Sequence, residues 1–247
     1  MLDSFRDTFR LPDLKRRILF TLAALFVYRL GAHVPTPGVD AAALGRLFDQ
    51  GSILGFLDLF AGGALSRFSI FALGVTPYIN SSIVMQLLAV VVPSIEKLQK
   101  EGEEGRKKIV QWTRYGTIIF AFIQAVGMTG WLRGLGIYTG SFMDIILVSL
   151  TLTTGAVAVM WLGEIMSDHG IGNGISLLIF AGIVVRIPEA VVRTFSLVRL
   201  GEMNALVLLL AIAVMLAVVA GCVMLQEGQR RLPVQYAKRM VGNKMYG

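Results

Sequence analysis

Six apolar runs follow one another along the chain, separated by polar stretches. Each approaches the roughly 20 apolar residues that a helix needs to cross the hydrocarbon core of a bilayer. The fifth run is the least regular, because Arg186, Glu189 and Arg193 interrupt its far end. The pattern predicts an all-α, polytopic helical membrane protein with six transmembrane helices. The runs cover residues 18–34, 68–92, 115–132, 143–162, 175–187 and 204–225.

A shorter apolar segment, residues 51–67, lies between the first two runs. Its apolar core, residues 53–61, covers only about half a membrane at roughly 1.5 Å per residue. Glycines stand at both ends of the segment. The segment is therefore predicted to be a half-length helix that does not cross.

Lysine and arginine concentrate on one side of the predicted topology. Cytoplasmic loops collect these residues. If the six runs alternate in direction, 16 of the 23 Lys and Arg fall on one face and 7 on the other. The basic face holds residues 1–17, the loop 93–114 and residues 227–247. Both ends of this chain are therefore expected in the cytoplasm, and the half-length segment on the outer side.

The net charge of +7 leaves two interpretations open. Ordinary topology signalling accounts for the basic loops and needs no further function. Docking onto an acidic partner, such as a ribosome or a motor protein, is the alternative. Charge alone favours topology signalling over docking.

Composition limits the function classes further. The chain is 55% hydrophobic and 16% charged, with a mean hydropathy of +0.70, whereas a soluble domain carries roughly 25% charged residues. Cys222, His33 and His169 offer no disulfide and no metal-ligand spacing, so no metal and no cofactor are expected. No small-residue cleavage site follows the first run, which is expected to remain as a span.

The second run carries polar residues at regular spacing. In a helix, Val75, Ile79, Ser82 and Gln86 would share one face, apolar in its outer half and polar toward the cytoplasm. Such a face suits a water-filled vestibule that narrows to an apolar constriction. Interhelical hydrogen bonding by the polar residues is an equal alternative. Pro77 is expected to loosen this helix near its middle.

Three classes of function are considered. A channel fits the striped helix. A secondary transporter of small solutes, the alternative function, would need a coupling-ion site, and the runs carry almost no ionisable residue at mid-membrane depth. An intramembrane enzyme would need a base beside Ser81 or Ser82, and the predicted topology puts His33 outside and His169 inside.

Five longer blocks, from about Leu11 to the last residue, carry a resemblance to a known family. Together they are similar to bacterial SecY, the channel-forming subunits of Sec protein translocation. Their length and common order make the resemblance specific. The blocks read "LGAHVPTPGVD", "FAGGALSRFSIFALGVTPYINSSIVMQLL", "KEGEEGRKKI", "WLGEIMSDHGIGNGISLLIFAGIV" and "GQRRLPVQYAKRMVG".

The resemblance implies a clamshell of ten spans in two halves of five. Residues 1–17 would be a cytoplasmic N-terminal segment, and residues 18–198 the first half with a plug helix at 51–67. Residues 199–247 would hold the sixth span and the start of the next cytoplasmic loop. The remaining spans are expected in a second chain or in a continuation of this one.

The resemblance also implies roles for particular residues. Val75, Ile79 and Ile179 would form an apolar pore ring, and Asn80, Ser82, Gln86 and Gln124 would line a lateral gate. Arg230, Arg231, Lys238 and Arg239 would dock partners. The apolar plug residues would be Ile53, Leu54, Phe56, Leu57, Leu59 and Phe60.

The function implied is translocation of unfolded preproteins across the plasma (inner) membrane and lateral release of membrane segments into lipid. No enzymatic activity is expected of the chain itself. The implied partners are SecE, SecG, the SecA motor, the ribosome, signal peptides, nascent preproteins and the lipid bilayer. Direct DNA binding is not expected.

Overall fold

The computed structural model describes residues 12–39, 44, 58, 61–138, 140–202, 204–229, 239–241 and 244–246. The chain divides into two compact units, Met1–Ala190 and Val191–Gly247. The helices are α1 (Pro12–Gly31), α2 (Thr76–Val91), α3 (Pro93–Lys100), α4 (Glu103–Gly134), α5 (Phe142–His169), α6 (Gly174–Val184), α7 (Ile187–Arg199) and α8 (Ala205–Glu227). Two short antiparallel strands follow, β1 (Arg239–Val241) and β2 (Lys244–Tyr246).

Four helical stretches in the described part of the chain are long and apolar enough to cross a membrane. They are α4, α5, α6 with α7, and α8; α2 with α3 makes a fifth if this pair, bent by 101°, counts as one span. Charged residues at both ends, including Arg17 and Arg29, keep α1 outside this set. Every predicted run contains helix, and the all-α polytopic class is confirmed.

The second predicted run begins as a helix later than expected. Residues 61–75 form successive turns, with Gly74 at φ +54°, and α2 starts only at Thr76. Pro77 therefore lies in the first turn of α2, where a missing backbone N–H leaves no helix hydrogen bond unmade. The prediction that Pro77 loosens the middle of this helix is wrong. The half-length helix likewise does not extend over residues 61–67.

The stretch counted as the loop 93–114 is largely helical. Val92 is extended, as expected before a proline, and α3 follows as two turns with an ion pair between Lys100 Nζ and Glu96 Oε1 at 2.6 Å. Gly102, at φ +79°, separates α3 from α4. The many charged residues of this stretch leave no long apolar run, so the hydrophobic pattern did not predict helix here.

A stripe of small residues on α4 lets its neighbours approach closely. Thr113, Thr117, Ala121, Ala125 and Thr129 recur every four residues and are all buried. Their spacing follows the small-residue pattern of membrane helix interfaces. α2 and α5 both pack against α4.

One close approach between α2 and α4 is visible at Ser81. Its hydroxyl donates a 2.7 Å hydrogen bond to the Thr113 carbonyl oxygen. A Cβ at Gly116 would collide with the same hydroxyl. The absence of a side chain at this position therefore sets the separation of the two helices.

The turns at 61–75 are part of the core rather than a surface loop. Phe68, fully buried, belongs to a cluster with Leu132 of α4 and Leu152 of α5. The ring of Phe71 stacks on Tyr28 of α1, with centroids 5.9 Å apart. A Cβ at Gly155 would meet the Ile70 carbonyl group, so α5 lies directly against this segment.

The second unit holds most of α7, then α8 and the hairpin. Side chains of α8 such as Leu209 and Leu225 are exposed, as expected of a surface that lipid or another membrane segment covers. The hairpin is a local addition to the all-α fold that the sequence analysis did not predict. Its signal in the sequence is the Gly-Asn pair between the strands, a common two-residue hairpin connection.

Enlarging the α4 stripe is expected to destabilise the protein. Ala125→Leu adds volume where the side chain is fully buried, and overpacking typically costs about 1–3 kcal/mol. The thermal unfolding midpoint of the purified protein in detergent should fall by several degrees, at about 2–4 °C per kcal/mol. Val126→Leu, on the exposed side of α4, is the matched control. Equal midpoints for the two variants would contradict the packing assignment.

Candidate functional site

An apolar groove of about 590 Å³ opens where α2, α4 and α6 meet the turns at 61–75. Val75, Ile79 and Ile179 all line this groove. The same three side chains pack into one apolar cluster together with Phe71 and Leu178. The structure thus brings together the three residues assigned to a pore ring, and their action as a ring stays a prediction.

Local structure fixes the direction of these side chains. Val75 is the N-cap residue of α2, and its carbonyl oxygen accepts the N–H of Ile79 at 3.1 Å. The two side chains are therefore one helical turn apart on the same face. Ile179 lies in the second turn of α6, whose start is fixed by the Asn173 side chain accepting the N–H groups of Ile175 and Ser176.

The rest of the groove comes from two other elements. Ala61 and Leu65 reach it from the turns, and Met128 and Trp131 reach it from α4. Gln124, half-buried on α4, adds a polar group to this otherwise apolar wall. A predicted gate residue thus lies beside the predicted ring rather than beside the other gate residues.

Ser82 and Gln86 line a separate groove of about 680 Å³, more polar than the first, between α2 and the start of α4. Gln86 Nε2 donates to Ser82 Oγ at 3.3 Å, a bond within one helix between a half-buried and an exposed side chain. The interhelical bond is made instead by Ser81. Among the described residues, Ser82 and Gln86 thus make no interhelical hydrogen bond, and their role in lining a vestibule stays a prediction. Asn80 is half-buried on α2 and lines neither groove.

The sequence analysis missed a buried carboxylate beside the groove. Asp58 Oδ1 accepts the backbone N–H groups of Leu65 and Ser66, each at 3.0 Å. Its other oxygen forms an ion pair with Arg186 Nη2. The sequence did carry a signal for this site, since Asp58 is the single acid in the apolar residues 53–61. A charge buried there needs a partner of opposite charge. Its distant partner was not readable from the sequence.

Two further contacts fix the turns against the helices. Arg29 Nη1 of α1 donates to the Gly62 carbonyl oxygen at 2.8 Å. Gly62 has φ +63°, and a Cβ there would lie 2.9 Å from Gly182 Cα of α6. Only glycine combines this conformation with so close a backbone approach.

A second ion pair joins α4 to α5 away from the groove. Arg114 Nε lies 2.8 Å from Glu164 Oε1, with the arginine half-exposed. The pair holds the start of α4 beside the end of α5, as antiparallel packing requires. Glu164 is therefore a structural partner of α4.

Most of the predicted plug and docking residues lie outside the residues that the structure describes. Arg239 lies in β1, and only its backbone is described. The plug residues Ile53, Leu54, Phe56, Leu57, Leu59 and Phe60 and the docking residues Arg230, Arg231 and Lys238 lie outside the described residues.

Comparison with known proteins gives a consistent picture. The family model SecY matches residues 69–247. The protein translocase subunit SecY of Corynebacterium glutamicum is 45% identical over 261 residues, covering 100% of this chain and 57% of that protein. The protein of the same name from Haemophilus influenzae is 49% identical over 242 residues, covering 95% and 54%. The chain spans about half the length of these relatives.

Solved structures agree on the fold. One solved structure has a TM-score of 0.52 and 24% identity, and the match covers 70% of this chain and 36% of that one. That structure is described as showing that the plug domain of the SecY protein stabilises the closed state of the translocation channel and maintains a membrane seal. Sec61 in the canine ribosome-channel complex has a TM-score of 0.51 and 24% identity, covering 68% and 36%.

At this identity the structures support the fold alone. The match to the family model extends over more than half of the chain, and it agrees with the relatives' identity over nearly all of it. The chain belongs to the SecY family.

Proposed function

We propose that this chain forms part of a protein-conducting channel, which moves unfolded preproteins across the plasma membrane and releases membrane segments sideways into lipid. The observation that carries the proposal is the meeting of Val75, Ile79 and Ile179 in one apolar groove. The relatives named as protein translocase subunits support it over small-solute transport. Their full length exceeds this chain, so the complete channel includes further spans.

The groove residues supply the resting seal. Valine and isoleucine side chains offer no hydrogen bond to water or to ions, and a narrow apolar constriction excludes both by dewetting. The same side chains fit around an unfolded polypeptide of any sequence, because they make no specific polar contact. The three residues act as part of a ring that remaining spans complete.

The polar part of α2 forms one wall of a water-filled vestibule. Ser82 and Gln86 follow Ile79 on the same face, and their mutual bond is weak and exposed. Water or a passing polypeptide can replace this bond readily. The side chain of the moving polypeptide thus stays hydrated until it meets the apolar groove.

Lateral release occurs beside α2 and α4, which move as one wall. The bond from Ser81 to Thr113 and the close packing at Gly116 hold these helices together. Each buried CH₂ of a passing segment favours lipid by about 0.8 kcal/mol. An interhelical hydrogen bond in a membrane averages only about 0.6 kcal/mol. Polar contacts across the gate are therefore weak enough to break when the gate opens. The residues proposed to make them are Asn80, Ser82, Gln86 and Gln124.

The chain works without enzymatic activity, and its partners supply the energy. Both ends of the chain lie in the cytoplasm, where Arg230, Arg231, Lys238 and Arg239 meet SecA or the ribosome. The basic charge of these four residues suits an acidic partner such as the ribosome. SecE and SecG complete the channel, and signal peptides and nascent preproteins enter it.

A translocating polypeptide should be reachable from the groove. Single replacements Val75→Cys, Ile79→Cys and Ile179→Cys, made in the complete translocase without Cys222, are expected to crosslink to a preprotein stalled by a folded C-terminal domain. Ile123→Cys, on the exposed side of α4, should not. Equal crosslinking at position 123 and at the three groove positions would remove the channel interpretation.

Shortening one groove side chain should open the seal. Ile79→Gly is expected to raise the resting ion conductance of the complete translocase in planar bilayers, because the apolar constriction loses a side chain. Val84→Gly, on the opposite face of α2, makes the same kind of change without touching the groove. A resting conductance that stays unchanged in Ile79→Gly would contradict the ring assignment.

A further inference from the structure

We infer that the ion pair between Asp58 and Arg186 is a latch, which holds residues 61–67 over the apolar groove and lets them leave when it breaks; this rests on the proposed channel function. The turns at 61–67 and the groove are in direct contact, since Ala61 and Leu65 line it. Release of these turns would uncover Val75, Ile79 and Ile179.

Both oxygens of the Asp58 carboxylate are engaged. The side chain is 1% exposed. Oδ1 accepts the N–H groups of Leu65 and Ser66, which would otherwise be unpaired at a turn. The backbone N–H of Gly63 donates to the Asp58 carbonyl oxygen at 3.2 Å. Asp58 therefore folds the turn and also provides its attachment to the helices.

Arg186 is held in a position from which its side chain contacts this turn. It comes immediately after Val185, the C-cap residue of α6, and its backbone N–H donates to the Ile183 carbonyl oxygen at 3.1 Å. Its Nη2 atom lies 3.5 Å from Ser66 Oγ as well as beside Asp58. A Cβ at Gly63 would lie 3.1 Å from the same nitrogen, so glycine leaves room for the guanidinium group.

Loss of either partner would weaken the attachment of the turn. A buried ion pair is tolerated while both partners are present, and losing one partner leaves an uncompensated buried charge that strongly destabilises the contact. The Arg186 side chain is 29% exposed, so it reaches water once the turn departs. Within the part of the chain that the structure describes, the other hydrogen bond from a helix to residues 61–67 is the bond from Arg29 to the Gly62 carbonyl oxygen. Breaking one ion pair thus removes most of the polar attachment.

The test uses the complete translocase in lipid vesicles, in a cysteine-free background with Ala64→Cys. Ala64 is fully buried within the turn, so its labelling by a membrane-impermeant maleimide reports release. Asp58→Asn removes the charge and keeps an oxygen for the two backbone N–H groups. Arg186→Gln removes the other charge, and Arg186→Lys keeps it. Arg193→Gln, at an exposed position of α7, is the matched control.

Arg186→Gln is expected to raise the labelling rate by about tenfold or more, since the cost of the unpaired buried Asp58 charge exceeds the roughly 1.4 kcal/mol of a tenfold change. Asp58→Asn should raise the rate by a smaller factor, because the only group left without its partner is Arg186, which is partly exposed. Arg186→Lys and Arg193→Gln should label close to the rate of the unchanged protein. The double variant should label no faster than the faster single variant, because the pair is already lost.

A second cysteine position separates release from unfolding. Ala125→Cys, fully buried on α4, should stay protected in every variant. Unchanged labelling at position 64 in Arg186→Gln would overturn the latch. An equal rise at positions 64 and 125 would also overturn it, because the pair would then support the fold as a whole.

The labelling readout needs no transport. If the variants raise labelling at position 64 but the protein neither conducts ions nor moves preproteins, the proposed function is refuted. The inference that the ion pair holds the turn would still stand. Normal translocation with unchanged labelling would refute the latch alone.

Discussion

A backbone segment that is not helical must still pair its polar groups when protein and lipid surround it. The turns at 61–75 meet this constraint by contacts to the nearby Asp58 and to the segment that follows α1. Asp58 accepts two backbone N–H groups, the Phe68 carbonyl oxygen accepts the N–H of Thr36 at 2.9 Å, and the Ile70 N–H donates to the Val34 carbonyl oxygen at 3.0 Å. The rest of the site depends on this paired, buried segment.

The position of the groove follows from where these turns end. Because α2 starts at Thr76, Val75 stands at its entrance and Ile79 one turn inside. The small-residue stripe of α4 brings α2 and α5 close on either side. Gly62 and Gly182 then allow the turns to touch α6, which carries Ile179. Val75 and Ile79, one helical turn apart, therefore meet the distant Ile179 without any special feature of their own.

The sequence predicted what depends on periodicity and composition. Helix is found in each apolar run, and the face shared by Val75, Ile79, Ser82 and Gln86 changes from an apolar groove to a polar one. Ile179 was predicted from the family resemblance alone. It lies on α6, so the periodicity of α2 gave no information about its place in the groove. Where α2 begins was mispredicted, since residues 68–75 are as apolar as the helix that follows and only Gly74 and Pro77 mark its start.

The ion pair of Asp58 and Arg186 lay beyond prediction for a different reason. Its partners are 128 residues apart, and each alone looks like an interruption of an apolar run. The hydrogen bond from Ser81 to Thr113 could not be predicted from the sequence either. Ser81 and Ser82 are neighbours on one helix, and only the side that each faces distinguishes them. Long-range polar pairing is decided by the fold, and local patterns carry little information about it.

If the proposed function is right, α2 turns Val75 and Ile79 toward a shared apolar interior and turns Ser82 and Gln86 toward water. Spin labels attached at positions 79, 86 and 123 of the complete translocase in vesicles measure this directly through their collision rates with oxygen, which favours lipid, and with a water-soluble nickel complex. The label at 86 should collide most with nickel, the label at 123 most with oxygen, and the label at 79 little with either. An oxygen collision rate at 79 as high as at 123 would mean that this face of α2 lies in lipid.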